Sequence, residues 1–348
     1  MDLSLIIIIL LIITLALILI IWSHQSKPER CDTRVRKVVQ VIDDTTMTTT
    51  QLPTLSIPVI TPSIIEAINR GNHGWTAGYN EFFNQLTVQD LQTLLMQDIE
   101  EPVMSPHVHT TDIAVPSSFD ARDKWPGLIS GIKDQGVCGS CWAFATSAVL
   151  TDRLRIKTNG AFSDDLSPQF MISCRTDLEQ DENKCVSNNS IIAWNFLAEI
   201  GTTVWGCYPY TSGKGIVPGC IKPYCTSITR PFKSYKIEPG SIRSLADERS
   251  IQIELMTNGP VRASMKVYRD FHSYKSGVYS HTVSDANGSH AVRIIGWGVD
   301  AKSRVPYWIC ANSWGTSWGS LGGYFWIRRG INECGIEDNV NAADPLIE

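Results

Sequence analysis

The sequence predicts an α+β chain. Helical patterning fills the first half of its main segment and strand alternation fills the second, so the two element types are segregated rather than interleaved. Two further observations frame that expectation. Residues 3–22 are almost unbroken apolar sequence, and ten cysteines are spread over 348 residues. With 43% apolar and 19% charged residues the chain can bury a core and is not of the disordered class. Its length suits two domains, or one large domain with extra segments. A formal charge of −5 and a pI of about 5.8 exclude a phosphate-backbone binder, whose footprint is basic, so no nucleic-acid partner is expected.

The elements follow in order. Residues 3–22 suffice to cross a hydrocarbon core of ~30 Å at ~1.5 Å per residue. Only Met1 and Asp2 precede the run and no A-x-A pattern follows it. A single-pass transmembrane anchor is therefore expected, with a long cleaved signal segment and a secreted product as the alternative. Lys27, Arg30, Arg34, Arg36 and Lys37 follow the run, which by the positive-inside rule places the bulk in the cytosol. The cysteines argue for a lumenal, lysosomal or extracellular side, as do the sequons Asn188-Asn189-Ser190 and Asn287-Gly288-Ser289, whose Asn188 and Asn287 are glycosylation candidates. We give the cysteines the greater weight.

Residues 23–62 read as a Thr/Pro-rich linker around the threonines of 45–50 and Pro53, Pro58 and Pro62. From Ser63 the pattern changes: Ile64, Ile65, Ile68, Phe82, Phe83, Leu86, Leu91, Leu94 and Leu95 recur at helical spacing. Ser63 with Glu66 predicts a capping box, and Thr87 with Asp90 predicts a second helix reaching Gln97. Residues 98–114 carry Pro and His and read as an exposed strap. The main domain spans 115–348, with helices expected over 141–157 and 190–200 and strands over 274–279, 291–299, 307–311 and 323–328.

The segment Asp134-Gln135-Gly136-Val137-Cys138-Gly139-Ser140-Cys141-Trp142-Ala143-Phe144 carries the chemistry. A C-x-x-C pair serves a redox centre, half a zinc site, or structure. A zinc site needs a second pair at matching spacing. Cys220 and Cys225 lie about 80 residues away with no His cluster, so no metal is expected. The βαβ context of a redox pair is also missing. What remains is a nucleophile at a helix start, where the macrodipole and unpaired N–H groups favour Cys141 thiolate. Such a thiolate needs a base, a group that orients the base, and oxyanion donors. His290, opening an apolar alternating run, is the candidate base. His24, His73, His107 and His109 lie upstream of the main domain, and His272 and His281 sit in irregular stretches. Asn312 follows an apolar strand and can hold one imidazole N–H, with Trp314 shielding that bond. Gln135 can donate to an oxyanion beside the Cys141 backbone N–H.

At these residues the chain resembles the papain-like cysteine proteases, cathepsin B among them; C-G-S-C-W at 138–142 fits the family's C-G-[SA]-C-[WY] signature. The resemblance implies a two-lobed fold, a helical lobe plus a β-barrel-like lobe, with Cys141 and His290 facing across the cleft. It implies an inhibitory propeptide at 63–114, in which Trp75, Phe82 and Phe83 are available to dock, and a mature start near Pro116. It further implies the disulfides Cys138–Cys185, Cys174–Cys220 and Cys207–Cys225, leaving Cys31, Cys310 and Cys334 as free thiols. Substrate contacts fall at Ser187, Asn188, Trp314 and Asn339. No cofactor is implied; the partners are polypeptide substrates, the chain's own propeptide and cystatin-like inhibitors.

Three departures shape the expected specificity. Only residues 208–219 separate Cys207 from Cys220, without a histidine, so the loop by which cathepsin B removes dipeptides is missing. The family's C-N-G-G reads Cys185-Val186-Ser187-Asn188. The glutamate that attracts basic P2 residues aligns with Asn339. The function implied is a cysteine endopeptidase made as a zymogen. The rival is a catalytically weak member that binds peptides or a partner, supported mainly by residues 185–188.

Overall fold

The computed structural model describes residues 57–96, 106–108, 112–175, 185–221, 224–226, 231–245 and 247–347. The apolar run at 3–22, most of the Thr/Pro-rich linker and Cys31 lie outside these. No described helix is long and apolar enough to cross a membrane.

Helix Cys141–Lys157 forms over the predicted span. It is buried around nearly its whole circumference from Cys141 to Leu154, as a helix through the middle of a domain must be. Helix Ser190–Glu199 packs against it, started by Asn189, whose side chain accepts from Ile192 N–H at 3.0 Å. A short helix, Pro168–Ser173, was not anticipated: Ser167 caps it and Pro168 takes its first turn, where a missing N–H costs nothing. These helices share one apolar cluster. The three disulfides implied by the resemblance are formed, with Cα–Cα distances of 5.2, 4.7 and 4.5 Å in the order given above. Cys310 and Cys334 remain unpaired and buried. Asn188 is 3% exposed, so a glycan there has no room in this fold; Asn287 is half-buried on a strand.

The strands are β1 (Trp75–Ala77), β2 (Pro106–His107), β3 (Phe119–Asp120), β4 (Arg243–Leu245), β5 (Val261–Tyr268), β6 (Tyr274–Tyr279), β7 (Ala286–Val299), β8 (Pro306–Ala311), β9 (Tyr324–Arg328) and β10 (Val340–Ala342). Their order is β1-β6-β9-β8-β7-β5-β10-β4-β2, with β3 on β7. Three of these, β6, β8 and β9, match the predicted strands to within one residue. Strand β5 was missed because almost every residue in it is buried, which erases the period-two alternation that marks a half-exposed strand. Strand β7 begins five residues before the predicted 291, because Ala286 to Ala291 continue the pairing with β5. His290 is thus inside a strand, opposite Met265, rather than at its start.

The amino-terminal segment docks on this sheet. Val59 and Ile60 are already buried, so the packed chain starts earlier than the linker boundary at 62. Helix Pro62–Gly71 is capped by Thr61, not Ser63; Pro62 belongs at the first helical position, which moves the cap one residue back. Glu66 pairs with Arg70 at 2.6 Å instead of closing a capping box. Thr87 and Asp90 do bond reciprocally, but the helix that follows is only Leu91–Leu94, because Leu95 is extended. Strand β1 pairs with β6 at one end of the sheet and β2 with β4 at the other, leaving only these short strands as edges. Trp75 and Phe83 are buried in the sheet's apolar cluster, as their docking role requires. Buried ion pairs tie the central helix to the strand-bearing part: Asp152 to Arg293 at 2.5 Å and Arg153 to Glu254 at 2.8 Å.

Candidate active site

Cys141 is the first residue of its helix, where unpaired N–H groups and the dipole favour an anion. Its Sγ accepts from the Ala291 backbone N–H at 3.4 Å, which puts the sulfur beside the residue following His290. The His290 Nε2 donates to Asn312 Oδ1 at 2.8 Å. That amide oxygen also accepts from Ser313 N–H at 2.8 Å, so its identity as the acceptor is doubly required. With Nε2 carrying the proton, the neutral imidazole keeps its lone pair at Nδ1, which has no hydrogen-bond partner among the described residues. Trp314 stacks on the ring at 4.6 Å, covering the bond to Asn312. Burial lowers the His290 pKa to about 4, with the Asn312 bond opposing that only in part. The imidazole of this closed state is therefore neutral at ordinary pH.

Gln135 is fully buried and held at both ends of its amide. Ser313 Oγ donates to Oε1 at 2.6 Å, which aims Nε2 away from Ser313. The main chain is pinned by Ser313 O and by the Tyr210 hydroxyl. Its Nε2 donates to Cys138 O at 2.8 Å and to Leu94 O at 3.2 Å. A peptide carbonyl from the amino-terminal segment therefore sits on the predicted oxyanion donor. The chain around it lies in the cleft. Leu95 O accepts from Ser187 Oγ at 3.4 Å, and Met96 exchanges two backbone hydrogen bonds with Ser289, at 2.8 and 2.7 Å. A Cβ at Gly139 would come within 2.9 Å of Thr93 O, so glycine there permits the close approach.

Trp314 is buried under Phe83, ring centroids 4.9 Å apart in T-shaped contact, so its face is taken by the amino-terminal segment. Phe83 also meets His272 at 4.7 Å, and His272 stacks on the Trp314 ring at 5.6 Å. His272 is fully buried and its pKa falls to about 3, mainly through that burial. Asn188 is buried ahead of helix Ser190–Glu199, where it lines a pocket with Trp142, Arg175 and Ile192. Asn339 is half-buried, and its carbonyl takes the Ser264 N–H. Since Ser264 faces Ala291 across β5 and β7, Asn339 lies two strand spacings from Ala291, about 10 Å.

A profile described as the papain family cysteine protease matches residues 115–343. The chain belongs to the papain family. Cathepsin B-like cysteine proteinase 5 of Caenorhabditis elegans is 36% identical over 314 residues, covering 81% of this chain and 90% of that one. Tubulointerstitial nephritis antigen-like from Homo sapiens is 35% identical over 317 residues, covering 81% and 67%. Procathepsin B S9 from Trypanosoma congolense superposes with a TM-score of 0.74 at 32% identity, covering 83% of this chain and all of that one. The likeness to cathepsin B expected from the motifs is thereby shown, as is the papain-like fold.

In this papain-family cleft, the structure gathers Cys141, His290, Asn312, Gln135, Trp314 and Ser187 around residues 93–96. Sequence reasoning missed Ser313, although it adjoins Asn312 and a hydroxyl beside a candidate amide was a usable signal. It also passed over His272, which no local pattern separates from the other histidines.

Proposed function

We propose that the chain is the zymogen of a cysteine endopeptidase. The Cys141 thiolate attacks a peptide carbonyl, and the oxyanion is held by Gln135 Nε2 and the Cys141 backbone N–H. His290 gives its proton to the leaving amine, and water then releases the acyl-enzyme. Asn312 holds the His290 ring in the required tautomer. The observation that carries this reading is the Leu94 carbonyl on Gln135 Nε2, because a peptide carbonyl already occupies the position where the oxyanion would form. The segment from residue 57 to 114 acts as the propeptide. Its residues 93–96 lie in the cleft, and the burial of His290 there disfavours the imidazolium half of the reactive pair.

The rival reading, a member that acts only by binding, gains some support from a relative named as an antigen rather than as a proteinase. A binder, however, has no use for Cys141, His290, Asn312 and Gln135 together. Anchoring by residues 3–22 with the protease on the lumenal or extracellular side is part of the proposal. The apolar run and the three disulfides support it. The test is to label acid-treated protein with an epoxide inhibitor of thiol proteases and map the adduct. Modification of Cys141 is expected, and an unmodified Cys141 in protein freed of residues 57–114 overturns the reading.

Specificity follows from two residue sets. Residues 208–219 hold no histidine to grip a terminal carboxylate, so cuts within chains should dominate over dipeptide release. Asn339, taken as the S2 residue, offers hydrogen bonds without charge, and an unpaired guanidinium buried there costs several kcal/mol. A peptide library should show apolar P2 residues preferred over Arg, with Asn339→Glu shifting the ratio about tenfold or more toward Arg. Arg-Arg substrates cleaved fastest by the unaltered protein would refute the assignment.

A further inference from the structure

We propose that His281, Glu333 and Cys334 form a binding site for one divalent transition-metal ion, with Zn²⁺ the best-fitting cation. The turn after β6 and the turn at Glu333–Gly335 bring these side chains together across 52 residues of sequence. The His281 Nδ1 lies 2.5 Å from Glu333 Oε1, and Cys334 Sγ lies 3.4 Å from the same oxygen. One ligand atom from each of the three falls within 4.8 Å of the others. Glu333 and Cys334 are buried while the His281 side chain is 40% exposed, which leaves an entry path from solvent.

The charge balance points the same way. Asp270 is fully buried nearby and accepts only from neutral donors, the Tyr279 hydroxyl at 2.7 Å and Thr282 N–H and Oγ at 2.6 and 2.8 Å. Among the described residues neither Asp270 nor Glu333 makes an ion pair with Lys or Arg, and His281 is the one basic side chain bridged to Glu333. Buried carboxylates without a cation are costly, so this cluster is completed by a positive ion.

One N, one O and one S donor suit Zn²⁺, whereas Mg²⁺ and Ca²⁺ want oxygen alone. Tetrahedral bonds of about 2.0–2.3 Å set ligand atoms roughly 3.3–3.6 Å apart. The Cys334–Glu333 separation already fits. The His281–Glu333 hydrogen bond must open by about 0.8 Å, which the imidazole can supply by sliding over the Tyr268 ring on which it stacks at 4.1 Å. Water takes the fourth position, and the thiol proton is released to solvent as the metal–sulfur bond forms. The bound ion would clamp the β6–β7 connection to the turn that leads into β10.

The experiment uses full-length protein carrying Cys141→Ala, so that the cleft thiol contributes nothing. Zn²⁺ is titrated in competition with a chromophoric chelator, and Co²⁺ is followed by its thiolate charge-transfer absorption. One equivalent should bind with the thiolate band present. Cys334→Ser in the same background should abolish the band, and His281→Ala should weaken binding at least tenfold. His281 is exposed, so that variant keeps the fold and decides the matter if Cys334→Ser fails to fold. No binding by the Cys141→Ala protein, or affinity unchanged by His281→Ala, overturns the site.

Discussion

Cys141→Ser is expected to lower kcat/KM on a fluorogenic peptide by about 10⁴- to 10⁶-fold, the scale on which removal of a hydrolase nucleophile acts. The urea midpoint should stay where it was. The exchange removes one polarisable atom at the helix start, and the buried neighbours from Trp142 to Leu154 keep their packing. His290→Ala should fall into the same range, since it deletes the proton carrier. Asn312→Ala should lose only about 10- to 100-fold, the equivalent of one buried hydrogen bond of ~1–3 kcal/mol. The difference arises because Trp314 also orients the imidazole by stacking at 4.6 Å, so one of two restraints survives. Equal losses for Asn312→Ala and His290→Ala would show that Asn312 has a role beyond orientation.

A peptide covering residues 57–114, added to the mature domain, should inhibit at neutral pH and lose its grip as the solution is acidified. The two buried histidines set the sign. In the closed state burial lowers His272 to about 3 and His290 to about 4. With Phe83 gone and the rings open to water, each returns toward its ordinary value near 6.5. Between about 6.5 and the lowered values the open form binds more protons than the closed one. Falling pH through that window therefore favours opening, while above 6.5 closure keeps its full strength. Two such groups give a slope in log Ki approaching two per pH unit between about 6 and 4.5. His272→Leu should reduce that slope toward one, and an unchanged slope would remove His272 from the mechanism. Unchanged activity at neutral pH would remove autoinhibition itself. Carboxylates of the segment are the competing source of such a pH dependence. Glu81 is exposed, Asp98 lies outside the described residues, and Asp90 is held low by its bonds to Thr87 within the segment itself. Protonating Asp90 loosens a turn, whereas protonating His272 bears directly on the docked Phe83.

Local chemistry was legible in the residues themselves. Cys141 at a helix start, the span of that helix, the strands over 274–279, 307–311 and 323–328, and the choice of His290, Asn312 and Gln135 as candidates all rest on patterns a few residues long. Such patterns report periodicity, caps and flanking small residues, and these are set by backbone geometry before any tertiary contact forms. The family motifs added the disulfide pairing, which spacing alone leaves open. Other features depended on partners distant in sequence. β5 hides its identity by being buried on both faces, and β7 extends past its apolar run because β5 pairs with it. Met96 meets Ser289, Leu94 meets Gln135, and Phe83 closes over a His272–Trp314–His290 stack. His281 reaches Glu333 and Cys334 only through the return of the chain beside β6. No local rule encodes which distant side chains share a cleft, since that adjacency arises only when the whole chain closes on one core and burial and charge are set there by every element at once.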